Sequence, residues 1–461
     1  MTLTLLGVLA YVGAQLLVGA WVSRRIRTED DYLIAGRRLG YGLGIFTIFA
    51  TWFGAETCIG AAGRIYESGI AGGSADPFGY ALCIFLMGAV FAVPLWRMKL
   101  TTMADLFRLR YSASVERFAV VLMVPTSLLW AAAQIRAFGQ VLSASSELEV
   151  GLTITLAAAV VIVYTVSGGL LADAITDLVQ GIILIVGLVI VLWAVMANGG
   201  LDALRSVEPE RLRLFGGGEI PLLELMESWA VPIFGSVVAA ELITRVIASR
   251  SGEVARRSCF AAGSLYLAIG MIPVVLGLAG ARLIPGLDDP EQILPRLALE
   301  YLSPVLYTVF AGALVSAILS TVDSALLVSA SLLSHNIIVP LRPGLEEKDK
   351  VRIARIGVAV LGVLAWLMAL AAEGVYSLVE QASAFGSAGI IVIVTFGLFT
   401  RWGGSRSATA ALLAGLIVWI LGSYVLGLAF AYLAALGSAV AAYVVTASVE
   451  RPRPEVSQAL P

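Results

Sequence analysis

Charge is scarce in this chain. Asp, Glu, Lys and Arg make up 13% of its 461 residues, and the formal net charge is −2. No long basic or acidic block occurs, so the electrostatic footprint that a nucleic-acid binder needs is missing, and nucleic acid is excluded as a partner. Histidine occurs once, at His335, and the three cysteines, Cys58, Cys83 and Cys259, lie far apart in apolar segments with no C-x-x-C spacing. That excludes a disulfide scaffold and a zinc site. A lone histidine near a helix end, with no paired nucleophile and base, also leaves an intramembrane enzyme without chemistry. The first apolar run, Leu3 to Val22, is long for a signal sequence and lacks a basic start or an A-x-A site, so it reads as a retained helix.

What the chain has in abundance is apolar surface: 59% of residues are hydrophobic and the mean hydropathy is +0.93. A soluble fold of this size cannot bury that much. A membrane-spanning helix uses roughly 20 apolar residues, and about thirteen such stretches are expected, near 2–22, 40–66, 74–96, 117–143, 151–168, 174–197, 224–248, 257–282, 299–338, 353–372, 375–400, 407–425 and 427–447. The fold class is therefore an all-α polytopic membrane protein, with a disordered tail over Arg451–Pro461. With the amino terminus outside, about 22 of the 30 basic residues fall in joints on the inner side and about six outside. The positive-inside rule then places the carboxyl terminus in the cytoplasm, in a plasma (inner) membrane.

Four features exceed what a plain bundle needs. The second span is interrupted at Ala50-Thr51-Trp52-Phe53-Gly54-Ala55-Glu56-Thr57 and on to Gly63. Unwound backbone at that depth is tolerated only where it is buried or lines a cavity, and its freed carbonyls suit a desolvated cation. A small-residue packing face would explain the glycines but not Glu56. In the ninth span, Ala317, Ser320, Thr321 and Ser324 follow i, i+3, i+4, i+7 and share one face, with Asp323 beside them. Hard oxygens without thiolate or imidazole suit an alkali or alkaline-earth ion, although single serines in such helices usually bond back to their own backbone. Asp177, Glu56, Glu241 and Asp323 are carboxylates at membrane depth, which makes each a functional candidate. Arg136 and Arg245 are their candidate partners, and Glu241 with Arg245, at i, i+4, also suits a structural ion pair. Finally Trp52, Tyr80 in Asp76-Pro77-Phe78-Gly79-Tyr80, and Trp130 in Trp130-Ala131-Ala132-Ala133-Gln134 could hold an organic cation on their π faces, or simply pack.

These segments resemble the sodium:solute symporter family, which includes sodium/glucose, sodium/proline and high-affinity choline transporters. The likeness runs from about residue 30 to 400, through Tyr32 to Arg38, Ala50 to Gly63, Tyr164 to Gly169, Thr176 to Gln180 and Ser316 to Leu327. Singly these motifs are weak, and in this order they are specific. Ala50-Thr51-Trp52, Pro77 to Tyr80, Trp130 to Ala133 and Ser320 to Ser324 resemble the choline-transporter branch in particular.

The resemblance implies a LeuT-type core at 40–400, made of two inverted five-helix repeats at about 40–197 and 224–400. One extra helix and a cytoplasmic loop precede it over 1–39, two helices follow over 401–450, and a cytoplasmic tail covers 451–461. It also implies a first sodium site on the carbonyls of Ala50, Phe53 and Ala317 and the hydroxyls of Ser320 and Thr321. A second would use Asp177, Ser320, Asp323 and Ser324. The implied aromatic cage is Trp52, Tyr80 and Trp130. Glu56, Thr57, Gln134 and Glu241 are further substrate-binding candidates of this sequence, the two glutamates adding counter-charge for a cation. The chain departs from the branch where Ala239 replaces a further tryptophan and Glu56 a glycine.

The expected function is a sodium-coupled symporter that moves a small organic solute, leaning to a quaternary ammonium or amine, into the cell by alternating access. The alternatives are the same fold carrying an amino acid, a monocarboxylate or another solute, or a membrane solute sensor. Expected partners are the solute, sodium as coupling ion and the lipid bilayer, and a homo-oligomer is compatible with the sequence.

Overall fold

In a computed structural model, the chain is described over residues 28–450 except 145–147, 168, 219 and 373, together with Gly13 and Leu17. Apart from Gly13 and Leu17, the expected 2–22 span lies outside the described residues, as does the 451–461 tail. Every named element there is helical, because a bilayer leaves backbone N–H and C=O groups no partner except one within the helix. The principal helices are α1 (Tyr41–Trp52), α2 (Glu56–Ser68), α3 (Ala75–Arg97), α4 (Ala113–Ala144), α5 (Val150–Ser167), α6 (Leu170–Val195), α7 (Leu222–Ala230) and α8 (Ala240–Ile247). They continue as α9 (Gly252–Leu283), α10 (Pro304–Leu333), α11 (Glu347–Ala371), α12 (Val375–Ala384), α13 (Ser387–Phe399), α14 (Ser405–Ile420) and α15 (Ala431–Val449).

Among the described residues ten helices are long and apolar enough to cross a membrane, or eleven if the bent pair α1 and α2 is one span. The expected count of about thirteen is not reached there. One expected span also divides: 299–338 contains a stop at Leu302 and a fresh start at Ser303-Pro304, so α10 is separate from the short helix Ile293–Tyr301. Ser303 caps Leu306 N–H at 3.4 Å and Pro304 takes the first turn, where its missing N–H costs nothing.

Two spans are interrupted. α1 and α2 meet at a 51° bend over residues 53–55. α7 passes through a single wide turn, Val231–Gly235, and then extended Ala239 before α8 begins. Both interruptions depend on glycine for close approach. A Cβ on Gly54 would stand 2.7 Å from Thr321 Oγ1, and one on Gly235 would stand 2.2 Å from the Ser383 carbonyl. A backbone bridge ties the two interrupted spans together: Leu39, just before α1, pairs with Ser249, just after α8. α10 crosses the centre, packed on α4, α6 and α1, and its stretch from Ala313 to Leu332 is buried throughout.

Candidate functional site

The break in α1 frees its backbone. In an unbroken helix Gly54 N–H would bond the Ala50 carbonyl; here it bonds Trp52 O at 3.1 Å, and Ala55 N–H goes to Gln134 Oε1 at 3.0 Å. The Ala50 carbonyl instead accepts from Thr321 Oγ1 at 3.1 Å, and the same hydroxyl lies 3.2 Å from the Ala317 carbonyl. Three of the expected first-site oxygens, from Ala50, Ala317 and Thr321, therefore converge where α1 breaks against α10. Phe53 follows as the residue where α1 ends, with non-helical ψ of 72°. Ser320 faces differently, because its hydroxyl donates to Asp177 Oδ1.

The second expected group also comes together, but with company. Asp177, Asp323 and Ser324 are buried side by side with Asp173 and Arg245. Arg245 Nη2 donates to Asp173 Oδ2 and to Ser324 Oγ. This corrects the expected Glu241–Arg245 pair. The Glu241 carboxylate accepts from Ser127, and Arg245 touches only the Glu241 carbonyl, at 3.4 Å. The reason is geometric: α8 points Arg245 at α6 and α10, and a buried guanidinium takes the carboxylate that can reach it. Asp173 was missed by sequence reasoning, although Asp173, Thr176, Asp177 and Gln180 share a face of α6 at i, i+3, i+4, i+7, and all four are buried.

The three aromatic residues lie close together. Trp52 and Trp130 have ring centroids 5.3 Å apart, and Tyr80 stands edge-on to Trp130 at 6.4 Å. Tyr80 and Glu56 line one wall of a cavity of about 470 Å³ whose rim carries Glu227, Glu380 and Arg64. Trp52 and Trp130 lie behind Tyr80, outside the cavity lining. Glu56 is 3% exposed, and its Oε2 has no hydrogen-bond partner among the described residues, like Trp52 Nε1 and Gln134 Nε2. Thr57, one residue on, is drawn away from the cavity into a closed triad, with its Oγ1 2.7 Å from Asp76 Oδ2 and 3.0 Å from Tyr266 Oη. Tyr266 completes the triad by donating to Asp76 Oδ1 at 2.8 Å. Asp76 and Tyr266 carried no signal in the sequence beyond the segment that holds Tyr80.

Two expected neighbours lie elsewhere. Glu241 and Ala239 line a separate cavity of about 20 Å³ beside Ser127. Arg136 lines a third cavity of about 500 Å³ with Asp289 and Glu291, and its Nη1 donates to the Ala369 carbonyl at 3.1 Å.

The family model described as "Sodium:solute symporter family" matches residues 32–417. The chain belongs to the sodium:solute symporter family. Its curated relatives include "High-affinity choline transporter 1" of Caenorhabditis elegans, 28% identical over 81% of this chain and 70% of that protein. "High affinity choline transporter 1" of Homo sapiens is 29% identical over 91% of this chain and 76% of that one. Among solved structures, a substrate-bound, outward-open Na+-coupled sialic acid symporter superposes with a TM-score of 0.86 at 18% identity, covering 98% of both chains. Mhp1, a nucleobase-cation-symport-1 family transporter, does so at 0.61. The fold is thus that of the LeuT-type sodium-coupled transporters. The protein is a multi-pass membrane transporter and not an enzyme, sodium is its coupling ion, and its partners are a small-molecule solute and the bilayer.

Proposed function

We propose that this symporter carries a small cationic solute of the methylated-ammonium type. The observation that carries the reading is Glu56: a buried carboxylate with an unpartnered oxygen, lining a cavity with Tyr80, while Trp130 stands edge-on to Tyr80 and Trp52 lies tilted against Trp130. A methylated ammonium is weakly hydrated, so it moves onto aromatic faces at small desolvation cost and gains about 0.5–2 kcal/mol per ring. The rim adds Glu227 and Glu380 against the single Arg64, which favours a cation again. The choline transporters among the relatives support the same class. An anionic solute would want Arg136, and that residue faces another cavity.

For the ion, the reading assigns sodium to the oxygens of Ala50, Phe53, Ala317, Ser320 and Thr321. The membrane potential then supplies about 2.3 kcal/mol per charge per 100 mV, and coupling requires that ion and solute stabilise the same conformation. Residues 40–400 are read as two inverted repeats, each opening with a broken helix, in an inner membrane with the amino terminus outside. Protease reaching the carboxyl-terminal tail in right-side-out vesicles would reverse that orientation.

The deciding experiment is a thermal-shift screen in sodium against amines, amino acids, monocarboxylates and sugars, followed by affinity measurements on tryptophan variants. Trp52→Ala and Trp130→Ala should each weaken the best amine roughly ten-fold, with Trp52→Phe milder because its π face survives. A sugar or monocarboxylate that binds best, and binds both alanine variants normally, sinks the cationic reading and leaves the family assignment standing.

A further inference from the structure

The polar centre between α6, α8 and α10 holds three buried carboxylates, Asp173, Asp177 and Asp323, and one fully buried guanidinium, Arg245 at 0% exposure. Asp177 is engaged by the hydroxyls of Ser320 and Thr47. Asp173 receives Arg245 Nη2, and Ser324 Oγ lies 3.0 Å from Asp173 Oδ2 while itself accepting from the same Nη2. Asp323 adjoins Asp173, and its Oδ1 has no hydrogen-bond partner among the described residues. Carboxylates this close repel one another unless a proton is shared between them or a cation stands among them. Here a cation already does, and it is covalently part of the chain.

We propose that Arg245 is a built-in second cation. Its guanidinium occupies the place beside Asp173, Asp323 and Ser324 that a second sodium would need, so the carrier binds one sodium ion, at the oxygens of Ala50, Phe53, Ala317, Ser320 and Thr321. Two features of the group suit it to the role. A guanidinium keeps its charge at every physiological pH, and it sheds hydration more readily than a compact ammonium. Sodium could enter only by displacing Arg245 from Asp173, which would leave a buried charge uncompensated. A sodium ion on Ser324 Oγ would have to share that oxygen with Nη2, and two cations held on one oxygen repel. The tether also has a mechanical consequence. Arg245 stands on α8, the far half of the second broken helix, while Asp173 and Ser324 stand on α6 and α10, so the ion pair fastens that half-helix to the helix that carries Thr321.

The inference rests on the sodium-coupled reading above, and counting bound ions separates the two. Equilibrium binding of radiolabelled sodium to the purified full chain should saturate at one ion per protein and be lost in Ser320→Ala with Thr321→Ala. Because Arg245→Gln alone strands Asp173 and endangers folding, the informative variant is Arg245→Gln combined with Asp173→Asn, which removes the pair at constant net charge. That variant should rise to two ions, the second lost again on adding Asp323→Asn. Two ions in the unmodified protein, or one in the double variant, overturns the built-in cation and leaves the first sodium site intact. No saturable sodium binding at all overturns both.

Discussion

Thr321 shows how much one side chain is asked to do. Its hydroxyl lies 3.1 Å from the Ala50 carbonyl and 3.2 Å from that of Ala317, and it stands where a Cβ on Gly54 would collide at 2.7 Å. An oxygen held between two helices and two carbonyls is a poor solvent contact and a good ligand for a dehydrated cation. Replacing Ser320 and Thr321 together by alanine should raise the sodium concentration for half-maximal uptake by well over ten-fold, on the order of 1.4 kcal/mol or more. Unchanged sodium dependence would remove the assignment. At this scale the sequence was legible for oxygens at helical spacing, because i, i+3, i+4, i+7 fixes a face. It could not say that Ser320 turns to Asp177 while Thr321 turns to Ala50, since that choice depends on which helix stands opposite.

At the scale of elements, a polar cluster holds four segments together. His335, just past α10, contacts Glu29 Oε1 at 3.1 Å and Asp105 Oδ1 at 3.4 Å. Asp105 Oδ2 also accepts from the backbone N–H groups of Thr101 and Thr102, both at 2.9 Å, and Asn336 donates to Asp105 and to Glu116. Burial pushes the Asp105 carboxyl up, but His335 and the two N–H groups outweigh it and hold the group below its ordinary value. A carboxyl depressed in the folded state contributes stability that is present above its unfolded range and is lost as pH falls through the folded value. As pH falls from about 5 through the ordinary carboxylate value toward the lower folded one, the melting temperature should therefore fall more steeply for the unmodified protein than for Asp105→Asn. Parallel curves would show that the contact contributes nothing. Sequence reading marked His335 only as solitary, because its partners come from residues 29 and 105, far off along the chain.

For the whole molecule, sodium binding is also a stability term. A ligand that binds only the folded state adds RT ln(1 + [L]/Kd), about 1.4 kcal/mol at ten times Kd. The melting temperature should rise on exchanging potassium for sodium at equal ionic strength, and the rise should vanish in the Ser320→Ala, Thr321→Ala variant. Equal melting in both salts would mean that the ion does not select the folded carrier. Exchange at constant ionic strength matters because general screening acts on surface pairs such as Arg257–Glu253 in either salt.

The sequence by itself determined the solvent, the element type and the ordered motifs. Hydropathy demands a bilayer, a bilayer demands helices, and a carboxylate such as Glu56 beside glycines at membrane depth marks a candidate functional interruption. These are local properties, carried by neighbours along the chain. Tertiary structure decided which buried charge meets which. Spacing favoured Arg245 with Glu241, four residues before it, yet the folded chain sends Arg245 to Asp173 and Glu241 to Ser127. The same holds for Arg136, set beside Glu291 instead of Glu56, and for Asp76, closed into a triad with Thr57 and Tyr266. Coulombic and hydrogen-bond partners inside a membrane protein are chosen by three-dimensional distance, and helix packing sets that distance between residues that lie far apart in the chain.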